Sequence, residues 1–234
     1  KYIWAGRRAG KGRAVIQEAL SLIDETSKKK FVVNGVDMTN TLVPPIHIWT
    51  VAPTRAQMRQ VWNEMKAFIP EHLIKKRVAG QAGGRGSGWK EDEMYVELEM
   101  RDELGNWLPG THRRTVLWEL KSADNPESLQ TVGLDFLHIA EGQDIKEAAW
   151  HKVRPTLNSP GRMGRACIEG IPPISRSHWF SRRFRAAENK PDNNAVSIRA
   201  TTFDNHYLSK EQLEDIQKEK ELTTEAIWER HYMA

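Results

Sequence analysis

The 234-residue sequence predicts an α/β domain, a mostly parallel central sheet flanked by helices. Two observations predict it. Short apolar, β-branched runs alternate with longer stretches of helical period, and one run, Leu134–Ala140, is almost continuously apolar, as a strand covered on both faces must be. In chain order, Tyr2–Ala5 reads as a strand and Arg13–Lys29 as a helix. Ile46–Ala52 is a second buried strand and Arg55–Phe68 the helix after it. Glu93–Arg101 alternates, with Met94, Val96, Leu98 and Met100 on one face. Leu104-Gly105-Asn106 then supplies a turn and Thr115–Leu120 a returning strand, which makes a hairpin. After Leu134–Ala140 come a helix over Lys146–Leu157, a strand over Arg165–Glu169, a helix over Ser177–Glu188 and a last strand over Val196–Thr201. The tail changes character. Ser209, with Gln212 at the capping-box position, opens a charged helix over Lys210–Leu222, and Thr224–Tyr232 forms a short second one. A subdomain boundary is expected near Thr202, and Gln81–Gly88 reads as a flexible loop.

Apolar residues at 39% and charged residues at 28% describe an ordinary globular chain and exclude disorder, collagen and coiled coil. No stretch approaches the ~20 apolar residues of a membrane span, so no membrane partner is expected. One cysteine, Cys167, excludes an internal disulfide and a structural zinc site. The chain opens without Met on Tyr2-Ile3-Trp4-Ala5, with no signal peptide, from which a preceding segment is expected. The net charge of +4 is too mild to identify a nucleic-acid partner. Between Gly161 and Arg185, however, stand six arginines (162, 165, 176, 182, 183, 185) against one acid, Glu169. A solvated basic face is the commoner fate of such a run; a phosphate-tracking surface is the sharper reading.

Chemistry concentrates first in Ala5-Gly6-Arg7-Arg8-Ala9-Gly10-Lys11-Gly12, between a strand and a helix. Glycines there let backbone N–H groups curl around phosphate oxygens, the helix N-terminus adds its dipole, and Lys11 reaches the β- and γ-phosphates. Against GxxxxGK[ST], Ala5 replaces the first glycine and Gly12 the hydroxyl residue that binds Mg²⁺. A basic strand-to-helix turn accounts for the local pattern equally well. Gly83–Lys90 looks similar but lacks Gly-Lys adjacency and precedes a strand. The second candidate is Glu141, at the carboxyl end of Leu134–Ala140, where nucleotide hydrolases keep the acid that orients water; the preceding aspartate position is Ala140. The eight histidines show no metal spacing, with His138 packed in its strand; Ser175 and Cys167 lack a nucleophile context, and the nine tryptophans serve the core.

Taken in order, these segments resemble the ATPase domain of the large terminase subunit, the DNA-packaging motor of tailed bacteriophages. Gly6-Arg7-Arg8-Ala9-Gly10-Lys11 is similar to its arginine-bearing Walker A, and Val51-Ala52-Pro53-Thr54 to its second motif. Lys121-Ser122-Ala123-Asp124-Asn125-Pro126-Glu127-Ser128-Leu129 resembles the loop before Walker B, which Gly133–Glu141, Asp144, Ile145 and Trp150 continue. Gly170-Ile171-Pro172 stands where the coupling motif would be. Thr201-Thr202-Phe203-Asp204-Asn205 with Tyr207-Leu208-Ser209 resembles the entry to the linker subdomain, and Arg230–Ala234 the stretch before the nuclease domain.

The resemblance implies a P-loop, ASCE/RecA-like core over residues 1–201 and the start of a helical linker subdomain over 202–234, with the nuclease absent. It implies ATP and Mg²⁺ as cofactors, Ala5 to Arg13 (Ala5, Gly6, Arg7, Arg8, Ala9, Gly10, Lys11, Gly12, Arg13) as the nucleotide cradle, and Lys11, Arg7 and Glu141 as the catalytic set. Coupling to motion would run through Gly170, Ile171, Pro172, Thr201, Thr202, Asp204 and Asn205. DNA phosphates would meet Lys75, Lys76, Arg77, Arg162, Arg165, Arg182, Arg183 and Arg185. The implied partners are double-stranded DNA, the portal protein, the small terminase subunit and copies of the chain in a ring when docked, the isolated chain being a monomer, all in the host cytoplasm. Four departures stand against the pattern: Gly12, Ala140, Ile171 for the coupling threonine, and Gln130 where some members carry a trans-acting arginine. Glu141 or Asp144 is then the candidate metal partner, and Arg8 or Arg13 the candidate finger. Two other readings are weighed. A degenerate terminase-like module binding DNA or portal fits Gly12 and Ala140, whereas a helicase-like ATPase leaves Thr201–Asn205 unexplained.

Overall fold

Side-chain alternation along the buried strands decides the layering. In the run 46–52, Ile46, Ile48 and Ala52 enter one core while Trp49 and Val51 enter another; in 136–140, Phe136 and Ala140 go with the first and Leu137 and Ile139 with the second. A sheet apolar on both faces has to be covered on both.

The computed structural model describes residues 1–39, 43–76, 88–130, 132–190 and 194–234. Its strands are β1 (Tyr2–Ala5), β2 (Val32–Val33), β3 (Val36–Asp37), β4 (Ile46–Ala52), β5 (Trp89–Lys90), β6 (Tyr95–Glu99), β7 (Thr115–Ser122), β8 (Phe136–Ile139), β9 (Arg165–Gly170) and β10 (Ser197–Ala200). Its α-helices are α1 (Lys11–Ser27), α2 (Arg55–Phe68), α3 (Glu147–Val153), α4 (Trp179–Asn189), α5 (Lys210–Leu222) and α6 (Glu225–Trp228). The main sheet runs β10-β1-β9-β8-β4-β7-β6-β5, with β2 and β3 forming a separate pair. From β10 to β7 every neighbour is parallel; β6 and β5 are added antiparallel, through the hairpin expected from the Glu93–Arg101 alternation. α1 and α2 cover one face through Val15, Ile16, Ile23, Met58, Trp62 and Met65. α3 and α4 cover the other through Trp150, Val153, Trp179, Phe180 and Phe184.

Element limits differ from the sequence reading where local chemistry intervenes. The first helix starts at Lys11 rather than Arg13, because Gly10 takes φ 82° and turns the chain into the helix at once. The helix expected over Lys146–Leu157 is α only to Val153; Pro155 has no N–H to continue the ladder, and Arg154–Asn158 tightens to a 3₁₀ turn. α5 keeps its predicted bounds, with the Ser209–Gln212 capping box formed. α6 is shorter than expected and passes into a single π turn, Glu229–Met233. Arg77 and residues 81–87 lie outside the described residues. Among those described, no helix is long and apolar enough to cross a membrane.

Candidate nucleotide site

Parallel strands bring their carboxyl ends to one edge, where the following helices begin. β9 lies between β1 and β8, so the loop leaving Ala5 and the turn at Glu141 meet across one intervening strand. The loop 6–10 curls through left-handed Arg8 (φ 60°) and Gly10, and α1 follows with no side-chain cap and no acid in its first turn. The dipole and free N–H groups at that end are thereby left for an anion.

Lys11, the first residue of α1, turns its side chain inward, where it is 13% exposed. Its Nζ lies 3.6 Å from Glu141 Oε1 and 4.0 Å from Glu169 Oε2. Glu141 holds φ 50°, a left-handed conformation that costs a residue with a Cβ on the order of 1–3 kcal/mol and that clusters at functional sites. Gln143 fixes it there. Its Nε2 donates to Glu141 Oε2 (2.6 Å) and Asp144 Oδ2 (3.0 Å), while its Oε1 accepts from Ile171 N (3.2 Å). A Cβ at Gly170 would displace Gln143 Oε1, the acceptor of Ile171 N.

Behind the lysine runs a buried polar track. Alternation places Thr50, His138 and Glu169 on the α1/α2 side of three adjacent strands. Trp118 Nε1 donates to Thr50 Oγ1 (2.9 Å), which lies 3.3 Å from His138 Nδ1. His138 Nε2 stands 3.6 Å from Glu169 Oε1 and makes no hydrogen bond. Glu169 is 3% exposed, and its Oε2 has no hydrogen bond. A third carboxylate, Glu64 of α2, closes the site. Burial, and next the charge of Glu169, push its pKa above the usual carboxylate value. A Cβ on Gly12 would overlap Glu64 Oε2. Lys11, Glu64, Glu141, Gln143 and Glu169 line a cleft of about 870 Å³ together with Arg7, Arg8 and Asp144.

The segments expected to couple gather on the same loop. Thr202 Oγ1 donates to Arg7 O (2.6 Å), Asn205 Nδ2 to Arg8 O (2.5 Å), and Arg7 N to His231 O (2.6 Å). Asp204 accepts from Thr201 N and Oγ1 at 2.6 and 2.9 Å, which fixes that turn. Arg230 Nε donates to Pro172 O (2.7 Å), so the tail also holds the loop after β9. Arg13 leaves the loop and lies between the rings of Phe68 and Tyr207, 4.8 and 4.9 Å from their centroids. Ala5 is buried at the end of β1, and Ala9 N closes the loop onto Gly6 O (3.2 Å).

The basic residues do not assemble into one patch. Arg162 is turned inward onto Asp135 and Pro45 O, its side chain 8% exposed. Arg165 opens β9 at the opposite sheet edge and pairs with Glu25 (3.1 Å). Arg182 pairs with Glu147 (2.7 Å), Arg183 covers the Trp150 ring (5.0 Å), and Arg185 lies near Glu188 on the same helix. Lys75 lies 3.4 Å from Glu97, and Lys76 is exposed. Among the described residues no group of three or more His, Cys, Asp or Glu could hold a metal ion alone.

Glu64, Glu169 and Gln143 went unnoticed as site residues in the sequence. Glu169 carried one signal, as the only acid among the arginines of 161–185 and directly before Gly170. Glu64 carried none, since one acid on a charged helix names no target.

The family model of the phage terminase large subunit matches residues 114–233, just over half of the chain. No curated protein matches it. The large terminase ATPase domain of Thermus phage P74-26 superposes with a TM-score of 0.64 at 19% identity, over 99% of this chain and 86% of that one. The large terminase of a thermophilic bacteriophage, solved with ADP, gives 0.64 at 13% identity over 99% of this chain and 46% of that one. That of bacteriophage HK97 gives 0.52 at 13%, over 98% and 41%. This chain thus spans less than half of the latter two proteins, and at such identities the likeness shows the fold. Residues 114–233 contain Glu141, Gln143, Glu169 and the tail that grips the loop, and by that match the chain belongs to the phage terminase large subunit family, with the fold of its ATPase domain.

Proposed function

We propose that this chain hydrolyses ATP, with Mg²⁺, to drive double-stranded viral DNA into a procapsid. Residues 1–201 would be the motor core and 202–234 the start of its linker. Its partners would be the portal, the small terminase subunit and further copies in a ring, on the procapsid in the host cytoplasm. The observation that carries the proposal is Lys11, held at the head of α1 between Glu141 and Glu169 in an open cleft.

The residues fit a nucleotide. The loop 6–10, the bare end of α1 and one lysine suit a phosphate chain. Mg²⁺ takes one or two carboxylates beside phosphate oxygens, and Glu64, Glu141 and Glu169 supply them although Gly12 and Ala140 do not. Bound ATP brings the scissile anhydride, and Mg²⁺ neutralises its oxygens. The chain does the rest. Lys11 binds phosphate by charge-assisted hydrogen bonds, and Glu141 accepts a hydrogen bond from the attacking water and orients it in line. Arg7 and Arg8 line the cleft as further positive charge. Gln143 joins Glu141 to Ile171 N, and Pro172 O joins Arg230, so a hydrogen-bonded path leads from the water-orienting acid to the tail.

Fluorescent ADP titrated into wild type and Lys11→Ala tests the reading, beside Mg²⁺-dependent ATP turnover. Lys11→Ala leaves Glu141 and Glu169 without their cation, and an affinity loss of about 10–100-fold is expected. Absence of nucleotide binding in wild type would favour the second reading, a degenerate module that binds DNA or portal, to which Gly12 and Ala140 lend weight. Gln143→Ala should slow turnover about tenfold with the ATP KM within about twofold, because it loosens Glu141 and leaves the phosphate contacts in place. An unchanged kcat would remove Gln143 from the mechanism.

A further inference from the structure

We propose that Glu64 of α2, together with Glu169 of β9, forms the divalent-cation pole of the nucleotide site, in place of the hydroxyl missing at Gly12 and the carboxylate missing at Ala140. The proposal rests on the nucleotide reading above and deepens it.

Three observations converge. The first is spatial. A side chain at position 12 would project into the volume that the Glu64 carboxylate fills, so the oxygen a hydroxyl residue would have offered is replaced there by one from α2. The helix is set up to deliver it: Gln57, Gln60, Val61, Glu64 and Phe68, at i, i+3, i+4, i+7 and i+11, all line the cleft, and Glu64 is the acid among them. Buried Met58, Trp62 and Met65 fix that rotation.

The second observation is the orphaned oxygen. Glu169 is 3% exposed, and its Oε2 has no hydrogen bond, although a buried acceptor left so costs about 1–3 kcal/mol. His138 Nε2 stands 3.6 Å from Oε1, and Thr50, which accepts from Trp118, lies beside His138 Nδ1. Oε2 is left on the Lys11 side, where Glu169 lines the cleft.

The third is charge. Glu64, Glu141 and Glu169 line one cleft with Lys11, which pairs with Glu141 and Glu169, while Arg7, Arg8, Arg13 and Arg230 line the same cleft. Carboxylates brought together repel one another, and a divalent cation between them relieves that repulsion. Two carboxylates with phosphate oxygens are a sufficient set for Mg²⁺.

Mn²⁺ binding, followed by the EPR signal of the free ion, tests the proposal on wild type, Glu64→Gln and Glu169→Gln, with and without ADP. Both variants keep side-chain shape, and near-UV circular dichroism checks their folding. With ADP present, each should lose about 10–100-fold in Mn²⁺ affinity. Fluorescent ADP in EDTA should bind Glu64→Gln no more weakly than wild type, because what is lost is a cation ligand and a negative charge. Gly12→Ser should weaken Mn²⁺ binding by colliding with Glu64, and Gly12→Ser/Glu64→Ala should recover it by restoring a hydroxyl in the vacated volume. Wild-type Mn²⁺ affinity in either Gln variant overturns the proposal. Failure of wild type to bind ADP both with Mg²⁺ and in EDTA would defeat the nucleotide reading instead, and the cation pole would then be judged on Mn²⁺ alone, where equal binding by wild type and Glu64→Gln overturns it.

Discussion

Glu141→Gln is expected to hold nucleotide as well as wild type, or more tightly, and to hydrolyse it about 10²–10⁴-fold more slowly. The substitution keeps shape and the left-handed turn at φ 50°, and Gln143 can still bond the side-chain carbonyl. What it removes is the negative oxygen that accepts a proton from water. It also removes one of the two carboxylates that hold Lys11, so the ammonium is freer for phosphate, which is why binding does not suffer. Single-turnover hydrolysis beside fluorescent-nucleotide binding separates the two effects. A loss below about fivefold would pass the role to another carboxylate of the cleft, Asp144 being held beside Glu141 by Gln143. The expected split, turnover lost and binding kept, is what an interaction made only in the transition state produces.

How far the sequence announced this site depends on how local each part is. The loop 6–10, Lys11 and Glu141 were legible because each follows a strand directly, and alternation of apolar runs marks where strands end. The order of the sheet was not legible, since nothing in β9 says that it lies between β1 and β8. That insertion brings Glu169 beside Lys11, and a residue separated from it by 158 positions has no local pattern linking the two. Glu64 shows the same limit from a helix. Its period was read correctly, and α2 has the bounds expected of it, but period alone gives the buried face and not what lines the rim. The basic run failed in the opposite sense. Six arginines close in sequence look like one surface, yet β9 carries the chain from one sheet edge to the other between Arg165 and Arg176, and α4 turns back. A strand of six residues, Arg165–Gly170, separates what composition joins.

Arg162 gives the sharpest consequence. Arg162→Met is expected to remove about 3–5 kcal/mol of stability, the cost of stranding the partner of a buried ion pair. The guanidinium contacts Asp135, the residue before β8, and also donates to Pro45 O (3.0 Å), next to β4. Asp135 in turn accepts from His47 N (2.9 Å), and its own N–H and carbonyl join β4 and β9, so one pair ties the amino ends of three central strands. Without Arg162 the Asp135 carboxylate, 8% exposed, keeps its charge and loses its counter-ion. For a chain of this size the loss corresponds to a Tm lower by roughly 6–20 °C. His47 provides a local readout. Burial chiefly, and then the charge of Arg162, hold its pKa below the ordinary 6.5, so in Arg162→Met its NMR titration should move back toward that value. The double variant Arg162→Met/Asp135→Leu should recover only part of the stability, because it removes the stranded charge but leaves His47 N without its acceptor. DNA affinity measured between 50 and 200 mM salt completes the test. A residue this enclosed meets no phosphate, so the salt slope of the folded variant should match wild type, whereas substituting the exposed Arg182 would lower it by about one if α4 faces DNA. An unchanged Tm with a reduced slope would instead place Arg162 on the DNA and make the Asp135 contact incidental.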